Sequence, residues 1–167
     1  VCDLPKSEDG SVCPEPLRGQ TMNPRDFLDL AYDLVAEPRE ASWRSGASRA
    51  YYAAFHVALE FLRQCGFHLP NNDRAHAGVI YRLSNSGPAQ INQIGQDIGR
   101  LRSKRITADY HLGHSFDQQT AFDHVQIADK VIETLDDALT MPALLAQITA
   151  TIQVYERDVL QLVTFRP

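Results

Sequence analysis

The chain has few aromatic residues (8%), only three cysteines and no long run of apolar residues. Its apolar stretches are short and broken by charge, well below the roughly 20 residues that a membrane-spanning helix needs, so no membrane association is expected. Cys2, Cys13 and Cys65 are odd in number and scattered, without C-x-x-C spacing. Free thiols are therefore expected rather than a disulfide framework or a zinc site. Neither G-x-x-x-x-G-K-[ST] nor G-x-G-x-x-G occurs, which argues against a nucleotide-hydrolysing loop. With no H-E-x-x-H and no Glu-x-x-His pair, neither a metal nor any other cofactor is expected. Positive charge is also in deficit: 16 Lys and Arg stand against 21 Asp and Glu, for a net charge of -5. A general polyanion binder is excluded, and any nucleic-acid role must come from a local patch.

What the chain does have is apolar residues at helical spacing, making up 44% of its 167 residues, enough for the core of one domain. Residues 1–21 are rich in Asp, Glu, Ser, Gly and Pro and read as a disordered leader or linker. They lack the features of a signal peptide, which makes a cytoplasmic protein the default expectation. Met22 reads as a natural start, with Asn23-Pro24 as a cap and first-turn proline. Phe27, Leu30, Ala31 and Leu34 follow at helical spacing, and Pro38 bars continuation.

A second helix is expected from about Trp43 to Cys65, ending at Gly66. Its apolar face is Tyr51, Ala54, Phe55, Ala58 and Leu62, and a separate stripe carries Arg49, Tyr52, His56, Glu60 and Arg63. Asn71-Asn72-Asp73 opens a third helix to about Leu83, and Pro88 starts a fourth whose stripe is Ile91, Ile94, Ile98 and Leu101. Ser115 to Gln118 fits a capping box, followed by the seam Ala121, Val125, Ala128, Ile132, Leu135 and Leu139. After Pro142, a last helix shows Leu145, Ile148, Ile152, Tyr155, Val159 and Leu162. No alternating strands and no repeat are found. The pattern predicts an all-α, up-and-down bundle of five or six helices over 22–140, with a C-terminal helix, 141–167, packed on the bundle or on a partner.

Two constellations could carry chemistry. Arg49 and His56 lie two turns apart, about 10 Å along one helix face. They form either a groove with a cation and an imidazole or a polar seam in which Arg49 pairs with a carboxylate such as Glu60. The second constellation is Arg105-Ile106-Thr107-Ala108-Asp109-Tyr110-His111. With Arg100, Arg102 and Lys104 before it, it forms the strongest positive patch of the chain, suited to RNA phosphates or simply solvated at a helix end. Arg105 falls where the apolar phase points inward, and it needs an anion there: Asp109, a partner's carboxylate or a bound phosphate. His68, His76, His114 and His124 complete the histidines, and His111-x-x-His114 alone is weak evidence for a metal.

Together, Ser48-Arg49-Ala50-Tyr51-Tyr52-Ala53-Ala54-Phe55-His56 and the Arg105 to Tyr110 segment resemble the HEPN superfamily of helical domains, in its S-R-A-Y-Y-A-x-F-H and R-x-x-A-D-Y branch. The resemblance spans roughly 22–139. It implies a homodimeric helical bundle and, in many members, a metal-independent endoribonuclease with a composite R-x(4–6)-H site at the dimer interface. The toxin–antitoxin or defence members of the family pair with a nucleotidyltransferase-type antitoxin. On that resemblance Arg105 and His111 are the catalytic pair, with Arg49, Tyr52, His56, Asp109 and Tyr110 supporting or alternative, and the substrate is RNA. Ile106 stands where active members often carry a polar residue, and Gly113 where some carry an adenylylated tyrosine. The alternatives are a non-catalytic module of the same family that binds nucleotide, RNA or a partner protein, and a dimerisation domain with no ligand. Chemically, histidine titrates near pH 6.5 and can serve as base or acid, while an always-charged guanidinium suits a phosphoryl transition state.

Overall fold

Ahead of the first helix, the Asn23 side-chain oxygen accepts from the Arg25 backbone N–H, and its carbonyl accepts from that of Asp26. The computed structural model describes residues 22–70 and 72–167. The leader expected over 1–21, with Cys2 and Cys13, and the Asn71 part of the cap cluster lie outside the described residues.

Six α-helices follow: α1 (Asp26–Ala36), α2 (Glu40–Gln64), α3 (Arg74–Ser84), α4 (Ala89–Tyr110), α5 (Gln118–Leu139) and α6 (Pro142–Tyr155). Consecutive helices pack on one another, and α2 also meets α4 and α5. This is an all-α bundle, and no single described helix is long and apolar enough to cross a membrane.

α2 is the axis. Ala47, Ala50, Ala53, Ala54 and Ala58 are completely buried, so its surface is flat enough for neighbours to come close on several sides. At Gly46 a Cβ would stand 2.6 Å from Val35 Cγ1, which marks where α1 crosses. The helix begins three residues ahead of the expected Trp43. Arg39 is extended, and the Glu37 carboxylate accepts from Ser42 while its carbonyl accepts from the Trp43 indole N–H, so the turn after Pro38 closes at once. At the other end Gly66 takes a positive φ (91°), a conformation glycine adopts without strain.

Three other expectations are corrected. The buried stripe of α1 is Leu28, Ala31 and Val35, which leaves Leu30 exposed. The cap of α5 is Asp117, whose side chain accepts from the Thr120 N–H, rather than Ser115. In the last helix Ile148 and Ile152 are buried, but Val159 and Leu162 are exposed. There the chain passes into a π-helical turn, Glu156–Leu160, and the wider turn breaks the step of three and four. Glu156 turns inward instead, against Arg82 (2.6 Å) and Thr164.

Candidate functional site

Arg105 lies one turn beyond Leu101 on the inward side of α4, and α2 supplies its surroundings. Nη2 donates to the Tyr52 hydroxyl (2.7 Å), and Nε stands 2.8 Å from the Asp109 carboxylate one turn on. The Nε–H is not aimed at that oxygen, so the contact is one of charge rather than an aligned hydrogen bond. The rings of Tyr52 and Tyr110 lie 5.3 and 5.6 Å from the guanidinium carbon. Asp109 also accepts from the Ser48 hydroxyl (3.2 Å). Of the three anions open to Arg105, the chain itself supplies Asp109. The two constellations are thus one clasp, with Ser48 and Tyr52 of α2 gripping Arg105 and Asp109 of α4.

Arg49 lies 5.2 Å from the rings of both Phe27 and Tyr52 and has no carboxylate partner among the described residues. Glu60 approaches Arg63 instead (3.7 Å). His56 stacks on Phe27 and Tyr52, and burial lowers its pKa below the usual histidine value.

His111 sits at the end of α4, exposed, with its backbone N–H on the Thr107 carbonyl and its ring 6.1 Å from that of His114. No hydrogen bond, ion pair or ring contact joins it to Arg105 among the described residues. Arg105 turns back to α2 while His111 faces solvent.

The turn carrying both histidines is held by a residue that sequence reasoning missed. Arg44, buried on α2, donates to the carbonyls of Ala108 (2.9 Å), Thr107 (3.3 Å) and His114. Glu40 pairs with Arg44 and accepts from the Phe116 N–H, and the Phe116 ring lies 5.4 Å from the Arg44 guanidinium. No spacing rule singles out Arg44, because its acceptors are backbone carbonyls more than sixty positions away.

The basic run does not form one surface. Steps of two on a helix alternate faces, so Arg102 falls one turn from Arg105, while Arg100 and Lys104 share the side facing Thr120, Asp123 and His124 of α5. Arg100 pairs with Asp97. His76, which carried no signal in the sequence, closes on α2: its Nδ1 is 2.6 Å from the Tyr51 hydroxyl and its ring is 4.2 Å from that of Phe55.

No family model, curated protein or solved structure matches this chain. Among those described, no three His, Cys, Asp or Glu side chains converge as a metal site. The arrangement offers an immobilised guanidinium beside an exposed tyrosine, followed by two exposed imidazoles on a pinned turn.

Proposed function

We propose that this chain is a metal-independent endoribonuclease of HEPN type, the toxin of a toxin–antitoxin or defence system, with its site completed across a homodimer. The observation that carries this reading is the exposed His111–His114 pair on the turn held by Arg44, directly after Arg105 and Tyr110. In-line cleavage of RNA needs a base on the 2′-hydroxyl side of the phosphorus and an acid on the 5′-oxygen side. Two imidazoles a phosphate's width apart, or one from each protomer, meet that demand. The 2′-oxygen attacks phosphorus as one imidazole takes its proton. The bond to the 5′-oxygen breaks as the other supplies a proton, leaving a 2′,3′-cyclic phosphate and a 5′-hydroxyl. Nη1 of Arg105 carries no hydrogen bond among the described residues and is the donor left for a phosphoryl oxygen. A nucleotidyltransferase-type antitoxin is the partner this reading implies.

A second reading is favoured by one observation: Asp109 already neutralises Arg105, and Arg105 does not touch His111. On that reading the chain is a non-catalytic module of the same type that binds nucleotide, RNA or a partner protein. An RNA cleavage assay in chelator separates the two. Wild type cuts and yields cyclic-phosphate ends, whereas His111→Ala and Arg105→Ala lose at least about a hundredfold while sedimenting like wild type. No cleavage by wild-type dimer sinks the catalytic reading. Loss in His56→Ala but not in His111→Ala moves the catalytic centre to α2.

A further inference from the structure

His111 and His114 form a side-chain pair whose backbone is fixed before any ligand arrives. The His114 N–H donates to the His111 carbonyl (3.2 Å), and the His111 N–H donates to that of Thr107 (3.1 Å), so the two residues stand at the ends of one tight turn. Arg44 donates to the carbonyls of His114, Ala108 and Thr107. Just past the turn Phe116 is buried, with its N–H on the Glu40 carboxylate and its ring beside the Arg44 guanidinium. The turn is therefore anchored on both sides, and the two exposed imidazoles rotate on a fixed frame. Between them, a Cβ on Gly113 would meet nothing within 4 Å, so the turn stands clear of the bundle on that side.

The spacing His-x-x-His says little by itself; the anchored turn is what the structure adds. The two rings stand 6.1 Å apart, centre to centre. Two imidazoles on one tetrahedral ion, with metal–nitrogen distances of about 2.0–2.1 Å, have ring centres about 5 Å apart. Rotation of exposed side chains closes that difference, while the backbone, the costlier part to order, is already in place. The carboxylates nearby are engaged: Asp109 with Arg105 and Ser48, Asp117 with the Thr120 N–H, and Glu40 with Arg44 and the Phe116 N–H. The coordination set is thus two nitrogens, with water completing the shell. That set fits ions that take imidazole, such as Zn²⁺, Ni²⁺ or Cu²⁺, and not Mg²⁺ or Ca²⁺, which take oxygen.

We propose that His111 and His114 bind one ion of the Zn²⁺ class, and that this ion inhibits the chain instead of serving its chemistry. The inhibition rests on the ribonuclease reading above. A nitrogen that coordinates a metal has no lone pair for the 2′-hydroxyl proton and no proton for the 5′-oxygen, so one ion silences base and acid together. Binding itself needs neither RNA nor cleavage.

The test titrates ZnCl₂ and, separately, MgCl₂ into the metal-free full chain in a non-coordinating buffer, following the imidazole Cε1–Hε1 signals by NMR. Zn²⁺ is expected to shift His111 and His114 at one ion per chain, leaving His56 and His76 in place. The Kd is micromolar, because two protein ligands hold the ion less tightly than the four of a structural zinc site. Millimolar Mg²⁺ moves neither signal. His111→Ala and His114→Ala each weaken zinc binding at least about tenfold with an unchanged melting temperature. In the RNA assay, zinc at about ten times its Kd lowers wild-type cleavage about tenfold, and chelator restores it. The metal site is overturned if Zn²⁺ leaves both signals unmoved, if Mg²⁺ shifts them as strongly, or if either alanine variant binds zinc like wild type. Zinc binding with undiminished cleavage overturns the inhibition alone. Absence of cleavage even in chelator refutes the ribonuclease reading and the inhibition with it, while the titration still decides the metal site.

Discussion

His124 shows how little a residue's type says about its state. On α5 it is 5% exposed, its Nε2 is sealed from solvent without a partner among the described residues, and burial takes its pKa down to about 4. An unfolded histidine titrates near 6.5, so between these values the unfolded chain holds a proton that the native chain does not. Stability contributed by the neutral ring is complete above pH 6.5 and is lost as the pH falls toward 4, on the order of 3 kcal/mol. His124→Leu should flatten that part of a stability-versus-pH curve measured by urea unfolding. It should also raise stability at pH 7, by removing an unsatisfied buried atom. At this scale, the inward placement of Arg105 was legible, since its phase on α4 required it. The identity of its anion was open, because Asp109, a partner and a phosphate satisfy the same charge. Arg44 and His76 were not legible at all. Each acquires its role from acceptors or rings on another helix.

The helices themselves follow from local pattern, and their contacts rest on small residues. Gly95 on α4 faces the end of α3, where a Cβ would lie 2.3 Å from the Ser84 backbone nitrogen and 2.8 Å from the Leu83 carbonyl carbon. Backbone cannot swing aside as a long side chain can, so Gly95→Ala should cost at least about 1–3 kcal/mol in urea unfolding. Gly99→Ala, whose nearest neighbour is Ile80 at 3.7 Å, should be neutral or stabilising and serves as the control on the same helix. Periodicity located α4 and the seam of α5 because apolar side chains repeat with the turn. It failed beyond Tyr155, where a single π-helical turn changes the period and carries Val159 and Leu162 to the surface.

In the whole molecule, the end of the chain is tied back to its middle. Thr164 and Arg166 pair by backbone with His68 and Gly66, and Phe165 packs edge-on against buried Phe67 at 5.5 Å. The ion pair of Arg82 and Glu156 sits beneath, both side chains less than 5% exposed. Burial alone would raise the Glu156 carboxyl, but hydrogen bonds from Thr164 and Arg82 outweigh it and hold the pKa below the ordinary glutamate value. Arg82→Met should strip the pair of its cation and cost about 3–5 kcal/mol, whereas the double change with Glu156→Leu should recover most of that loss. A double-mutant cycle by chemical denaturation measures the coupling. Recovery absent from the double variant would mean that the pair holds the strap by geometry rather than by charge.

The sequence by itself determined the all-helical character, the burial of most apolar stripes and the placement of Arg105 on an inward face. These depend on the repeat of one helix and on the aversion of apolar groups to water, both local properties of the chain. Only the tertiary structure decided that Ser48 and Tyr52 close on Asp109 and Arg105, that Arg44 holds the histidine turn, and that His76 joins Tyr51. Those arrangements depend on which side chains from distant segments share a dielectric and a hydrogen bond, and no spacing within one helix encodes that.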